Sequence, residues 1–228
     1  MLDTHNHISS AFNNELADLN NNLLEMGGTI EVQFKSTIDC IIKRDEAIAN
    51  LIISKDKEVD NHERTAINQI QLLIAKRQPV GVDLRMLVGC TRIAGYLERT
   101  GDLLSSIAKR SIILIEHTKL EEEEELINLA KQAEELFKES LNSFSDKDFE
   151  KAEIVRTKDI EIDKTFTHFF SSLLKKMSEK SKLVVPGTHM LFMAKNFERI
   201  GDHATNISES ISYMANGEIS KETRPKYS

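Results

Sequence analysis

An all-α fold is predicted for this chain by three observations. Its 228 residues hold only three Pro and nine Gly, apolar residues recur in steps of three and four, and long segments pass without a turn signal. Breakers this sparse leave too few tight turns for a sandwich or barrel, and no Pro- or Gly-rich linker separates independent domains. A hydrophobic share of 40% against 29% charged residues supplies a core for one large or two small domains without disulfides.

Six long antiparallel helices account for the pattern. Leu16, Leu19, Leu23, Met26 and Ile30 mark the first, the spacing of a stripe laid on a bundle core. The second runs from about Asp45 to Arg77 and stops at Gln78-Pro79, because the residue before a proline is pushed out of the helical region. The third spans about Asp83 to His117. Five glutamates, Glu121 to Glu125, precede the fourth; carboxylates favour a helix start, and the run reads as a solvated one. That helix ends near Ser143. Ser145-Asp146 is the cap candidate for the fifth, which continues to about Lys180. The sixth opens after Pro186-Gly187 and carries Met190, Met193, Phe197, Ile200, Ala204, Ile207, Ile211 and Met214 on one face.

Composition excludes several function classes. A formal charge of −7 opposes nucleic-acid binding, which depends on Lys and Arg displacing counterions. The longest uncharged apolar stretch, Leu183 to Ala194, is interrupted by Pro186, Gly187 and His189, so no membrane insertion is expected. The first residues lack a signal-peptide pattern, and a cytoplasmic location is expected. Cys40 and Cys90 lie far apart in apolar segments and read as reduced packing residues. No GxxxxGK, GxSxG or HExxH is present, and no His follows a Glu by three residues, so catalysis has no nominee. His5, His7, His62, His117 and His168 read as structural or surface residues.

The chain repeats itself. LERTGD (97–102) returns as FERIGD (197–202), and KDKEVD (55–60) returns as KDIEID (158–163). Asp45, Ala49 and Ile52 match Asp148, Ala152 and Val155. Two pseudo-symmetric three-helix bundles packed side by side follow, with units at 1–118 and 119–217 and a tail at 218–228. A homodimer extending the same surface fits two narrow cores.

Each unit carries acidic pairs one helical turn apart: Asp56 with Asp60 and Glu98 with Asp102, then Asp159 with Asp163 and Glu198 with Asp202. On a wheel at ~100° per residue, Glu198 and Asp202 lie ~130–170° from the apolar stripe, on a solvated face. In an antiparallel hairpin, residues equidistant from the turn stand level. Residues 58 and 100 are equidistant from Pro79, and 161 and 200 from the Lys180-Ser181 link. Each unit therefore sets four carboxylates at one height, ~30 Å from its turn. Acids so placed repel unless a cation joins them. Oxygen donors suit Mg, Mn or iron, and His203, next to Asp202, is a candidate nitrogen ligand. Arg99, Arg199 and Arg85 read as members of ion pairs along or between helices. Three functions fit these residues: a non-enzymatic metal-binding adaptor, a metal-dependent enzyme acting at the carboxylate clusters, and a scaffold whose acids bind nothing specific.

HISSAFNNELADLNNNLLEMGG, RQPVGVDLR, LERTGD and NFERIGDHATNI resemble the PhoU family of phosphate-signalling proteins, over about His5 to Gly217. The resemblance implies two three-helix bundles, a cytoplasmic dimer, and multinuclear iron or zinc sites on the acidic face. It also implies a negative regulator of the phosphate-starvation response. Such a protein links the ATPase of the phosphate ABC transporter to a sensor histidine kinase and modulates phosphate uptake. The second repeat keeps ERIGDHATNI in full, which puts Asp159, Asp163, Glu198 and Asp202 first among the candidates. In the first repeat Thr100 stands where the family has Ile, Leu103 opposite His203 and Ser106 opposite Asn206, while Asp56, Asp60, Glu98 and Asp102 are retained.

Overall fold

The computed structural model describes residues 4–217, with side chains from residue 11; the expected tail at 218–228 lies outside the described residues. Six helices follow one another: α1 (Thr4–Lys43), α2 (Glu46–Arg77), α3 (Val82–Ile115), α4 (Glu123–Asp146), α5 (Phe149–Glu179) and α6 (Val184–Asn216), with a 3₁₀ turn, Ser181–Leu183, before the last. There is no strand among the described residues, and none of their helices is long and apolar enough to cross a membrane.

Three boundaries differ from the sequence reading, each for a local reason. Helix α4 continues through Ser145 and Asp146 and closes at Lys147, in the left-handed region at φ 54°. Asp148, not Asp146, caps α5, accepting from the Lys151 N–H at 3.0 Å. Arg44, at φ 53°, and Asp45, which accepts from Ala47 N–H at 2.8 Å, do the same between α1 and α2. The repeat therefore extends to its capping chemistry. Helix α6 begins at Val184 rather than after Pro186, because a proline in the first turn removes an N–H that has no intrahelical partner there. The glutamate run is only partly solvated. Glu122 and Glu123 are buried, Glu122 against the Lys176 ammonium and Glu123 3.3 Å from Arg44. Burial alone would raise the Glu122 pKa, but the Lys176 pairing outweighs it and holds the carboxyl below its ordinary value.

Helices α1, α2 and α3 pack mutually, as do α4, α5 and α6, and α3 against α6 and α1 against α4 join the two bundles. The arrangement is a four-helix layer in the order α2, α3, α6, α5, backed by α1 and α4. Helices α3 and α6 are antiparallel along their length, with Gly89 against Met214 at one end and Arg110 against Phe192 at the other. One continuous core runs through both halves. At its centre Phe34 of α1 lies 6.3 Å from Phe137 of α4 and 6.0 Å from Phe197 of α6, ring centre to ring centre. Cys40 and Cys90 are buried free thiols, and burial pushes Cys90 up to about 12.

Candidate functional site

The two hairpins of the outer layer, α2/α3 and α5/α6, position the acidic pairs. In the first, Val59 packs on Gly101, which fixes the register and brings Asp56 under the field of Asp102 and Asp60. Burial, then those two charges, raise the Asp56 pKa, with Lys109 opposing. Glu98 is pushed from 4.5 to about 7 by burial first and then by Asp102, Glu63 and Asp60. All four sequence candidates of this half, Asp56, Asp60, Glu98 and Asp102, thus feel one another across the hairpin. Glu63 joins them as a fifth.

In the second hairpin Gly201 does the equivalent work at closer range. A β-carbon there would sit 2.7 Å from Asp159 Oδ1 and 3.0 Å from Ile162, so only glycine lets α5 approach this far. The expected solvated face is corrected here: Asp159 and Glu198 are 7% and 8% exposed, sunk into the seam that Gly201 opens. Burial raises Glu198 most, and the charges of Asp202 and Asp163 add to it. Lys195 opposes the shift, its ammonium 2.7 Å from Glu198 Oε2. His203 is turned elsewhere. It is buried against α3, with Nδ1 3.3 Å from Thr100 Oγ1 and its ring 5.8 Å from that of Tyr96, ~140° around α6 from Glu198.

The two hairpins differ in charge balance. Glu63 corresponds to Phe166 in the second repeat, and Lys195 to Gly95 in the first. The first face therefore has five carboxylates with Lys109 nearby, whereas the second has four with an ammonium already on one of them. Neither Glu63 nor Lys195 was found from sequence, because both break the repeat that drew attention to the others. The distance to the turn was the usable signal for Glu63, since it and Glu98 flank the Pro79 turn almost symmetrically. The donors are oxygens and suit a hard cation, and the mutual repulsion on Glu98 is the strain a cation would relieve. Among the described residues, no three His, Cys, Asp or Glu side chains stand as a ready coordination sphere. Side-chain rotation would have to complete one.

The raised Glu98 pKa has a stability consequence. A carboxyl that binds its proton more tightly folded than unfolded stabilises the fold below its unfolded value of 4.5, and that stability is lost as pH rises through about 7. Glu98→Gln is expected to raise the melting temperature of chelator-treated protein at pH 8 and to leave it nearly unchanged at pH 4.5. Thermal unfolding followed by circular dichroism at both pH values checks this. Equal effects at both would remove the repulsion.

A family model described as the PhoU domain matches residues 23–111 and again 126–211. The phosphate-specific transport system accessory protein PhoU homolog of Rhizobium meliloti is 42% identical over 225 residues, covering 98% of this chain and 94% of the relative. Its counterpart in Xylella fastidiosa (strain Temecula1) is 36% identical over 212 residues, covering 93% and 88%. The crystal structure of PhoU from Pseudomonas aeruginosa superposes with a TM-score of 0.88 at 29% identity, over 91% of this chain and all of that one. That of the phosphate transport system regulatory protein PhoU from Streptococcus pneumoniae gives 0.86 at 26%, over 92% and all. One domain matched twice, once on each half of an architecture that the sequence itself repeats, means that the chain belongs to the PhoU family.

Proposed function

We propose that this protein is an accessory protein of a phosphate-specific transport system and a negative regulator of the phosphate-starvation response. It acts in the cytoplasm, as a homodimer, and as an adaptor rather than an enzyme. It couples the ATPase of the phosphate ABC transporter to a sensor histidine kinase. The relatives named as accessory and regulatory proteins support this reading. So does the observation that carries it, two acidic hairpin faces on the two sides of one helical layer.

The acidic faces serve as metal sites. Asp56, Asp60, Glu98 and Asp102, aided by Glu63, hold a cation on the first face, and Asp159, Asp163, Glu198 and Asp202 on the second. The ion is iron or zinc by family likeness, or Mg or Mn by donor type. It relieves the mutual repulsion of the carboxylates. On charge balance the first face is the stronger attractor, since no lysine competes there at the position of Lys195.

A deletion strain is expected to express phosphate-uptake genes in phosphate-rich medium, read by transcript level; normal repression there would reject the regulator. For the metal, Gly95→Lys places an ammonium on the first face, and a β-carbon at Gly95 has no atom within 4 Å, so the fold tolerates it. Elemental analysis of native protein should then find less metal in this variant than in wild type. Unchanged content would remove the first face as a site.

A further inference from the structure

Between the two acidic hairpins, the middle of the layer is basic. Arg85, Arg92, Arg99 and Arg110 lie within ~40° of arc on α3, along the edge of its buried stripe that faces α6, and Arg199 occupies the matching position of α6. The sequence reading assigns Arg85, Arg99 and Arg199 to ion pairs; Arg99 does oppose the rise of the Glu98 pKa through its charge, but no direct pair forms. Among the described residues arginine ion pairs are made by Arg44, Arg77 and Arg156, and none of the five seam arginines makes one. Four of them rest on rings and backbone instead. Arg92 stands 4.8 Å from the ring centre of Tyr213, Arg99 5.7 Å from Tyr96 and Arg110 4.3 Å from Phe192, while Arg85 packs over Gly217. The Nε–H groups of Arg85 and Arg110 are buried without an acceptor.

Among the described residues these five guanidiniums have no direct carboxylate partner, and Arg99 acts on Glu98 only through its charge. Aromatic rings hold arginines in place without neutralising them, so the planar forks stay available to carboxylates from outside. His189, 3.4 Å from Arg110, responds to the same field. Burial and the Arg110 charge hold its pKa below the ordinary value, with His117 adding to them.

We propose that the α3/α6 seam is a docking surface for an acidic protein segment one helix or one strand wide. Charge complementarity selects the anion, and the flanking acids select its shape. Neighbouring helices are ~8–10 Å apart, so the carboxylates of both hairpins border the seam within one helix width on each side. A duplex or a bilayer would press on them and be repelled, whereas a narrow ribbon would not. From Arg85 to Arg110 the seam is ~38 Å long, which suits a helix of ~25 residues or an extended segment of ~11.

The test uses the full chain and a fluorescein-labelled twenty-residue poly-glutamate, with anisotropy measured at low salt, with and without chelator. Wild type is expected to bind equally in both. Arg92→Gln/Arg99→Gln/Arg110→Gln should weaken binding at least ~tenfold, the corresponding triple Lys variant should recover most of it, and Arg64→Gln on α2 should change nothing. The Lys variant also separates lost charge from a damaged fold. Several results would overturn the proposal: no binding by wild type, full binding by the Gln variant, or equal or tighter binding of a DNA duplex, phosphatidylglycerol vesicles or inorganic phosphate. Loss of a dimer in ultracentrifugation, with peptide binding unchanged in the Gln variant, would assign the seam to a second copy. Chelator independence keeps this outcome separate from the fate of the metal reading.

Discussion

Replacing Arg44 by methionine is expected to cost about 3–5 kcal/mol of stability, among the largest single losses available outside the apolar core. Arg44 closes the turn between α1 and α2, and its guanidinium spans to the other bundle. It donates to the carbonyl of Leu114 and, at 2.7 Å, to that of His117, at the end of α3. It also lies 3.3 Å from Glu123 at the start of α4, a side chain 3% exposed. One residue thus binds carbonyls at the end of α3 and the acid that opens the next bundle. Its loss strands Glu123 with the Leu120 N–H, 3.0 Å away, as the one remaining partner of its side chain among the described residues. The repeat provides the control. Lys147 holds the same left-handed position at φ 54° but is exposed, so Lys147→Met should cost less than ~1 kcal/mol, and backbone strain cancels between the two variants. Urea unfolding followed at 222 nm checks both, and adding Glu123→Gln to Arg44→Met should restore part of the loss. Equal, small effects would mean that water replaces Arg44 without penalty.

The second large effect is expected from Phe34→Ala, about 3–5 kcal/mol, or roughly 6–20 °C in melting temperature for a chain of this size. Phe34 is fully buried and touches rings from α4 and α6, so the cavity opens where the two bundles meet and packed helices on three sides resist its collapse. Differential scanning calorimetry would measure it. Phe170→Ala, at a ring 41% exposed, should cost below ~1 kcal/mol. A loss at Phe34 as small as that at Phe170 would mean that the halves share no cooperative core.

Much of the fold was legible because helix formation is local. The stripe from Met190 to Met214 is buried in α6 nearly as the spacing implied, and Gln78-Pro79 stops α2 where a proline must. Boundaries failed where two short-range rules competed. Ser145-Asp146 looked like a cap because Asp148 was not yet known to sit just beyond a left-handed residue. The level of the acidic pairs followed from counting to a turn. Their burial did not, since the depth of Asp159 and Glu198 depends on how closely α5 can approach Gly201.

By itself, the sequence determined the six helices, the doubled unit and the height at which the acids meet. Those properties follow from periodicity and chain length, which each segment carries within itself. Only the tertiary structure decided that His203 turns to Thr100 and that the Val59–Gly101 and Asp159–Gly201 contacts differ in depth. It alone decided that the α3 arginines line the seam with α6 and rest on rings rather than in direct ion pairs. The azimuth of one helix against another is settled by ridges and side-chain volumes from residues a hundred positions apart, and no window along the chain contains both.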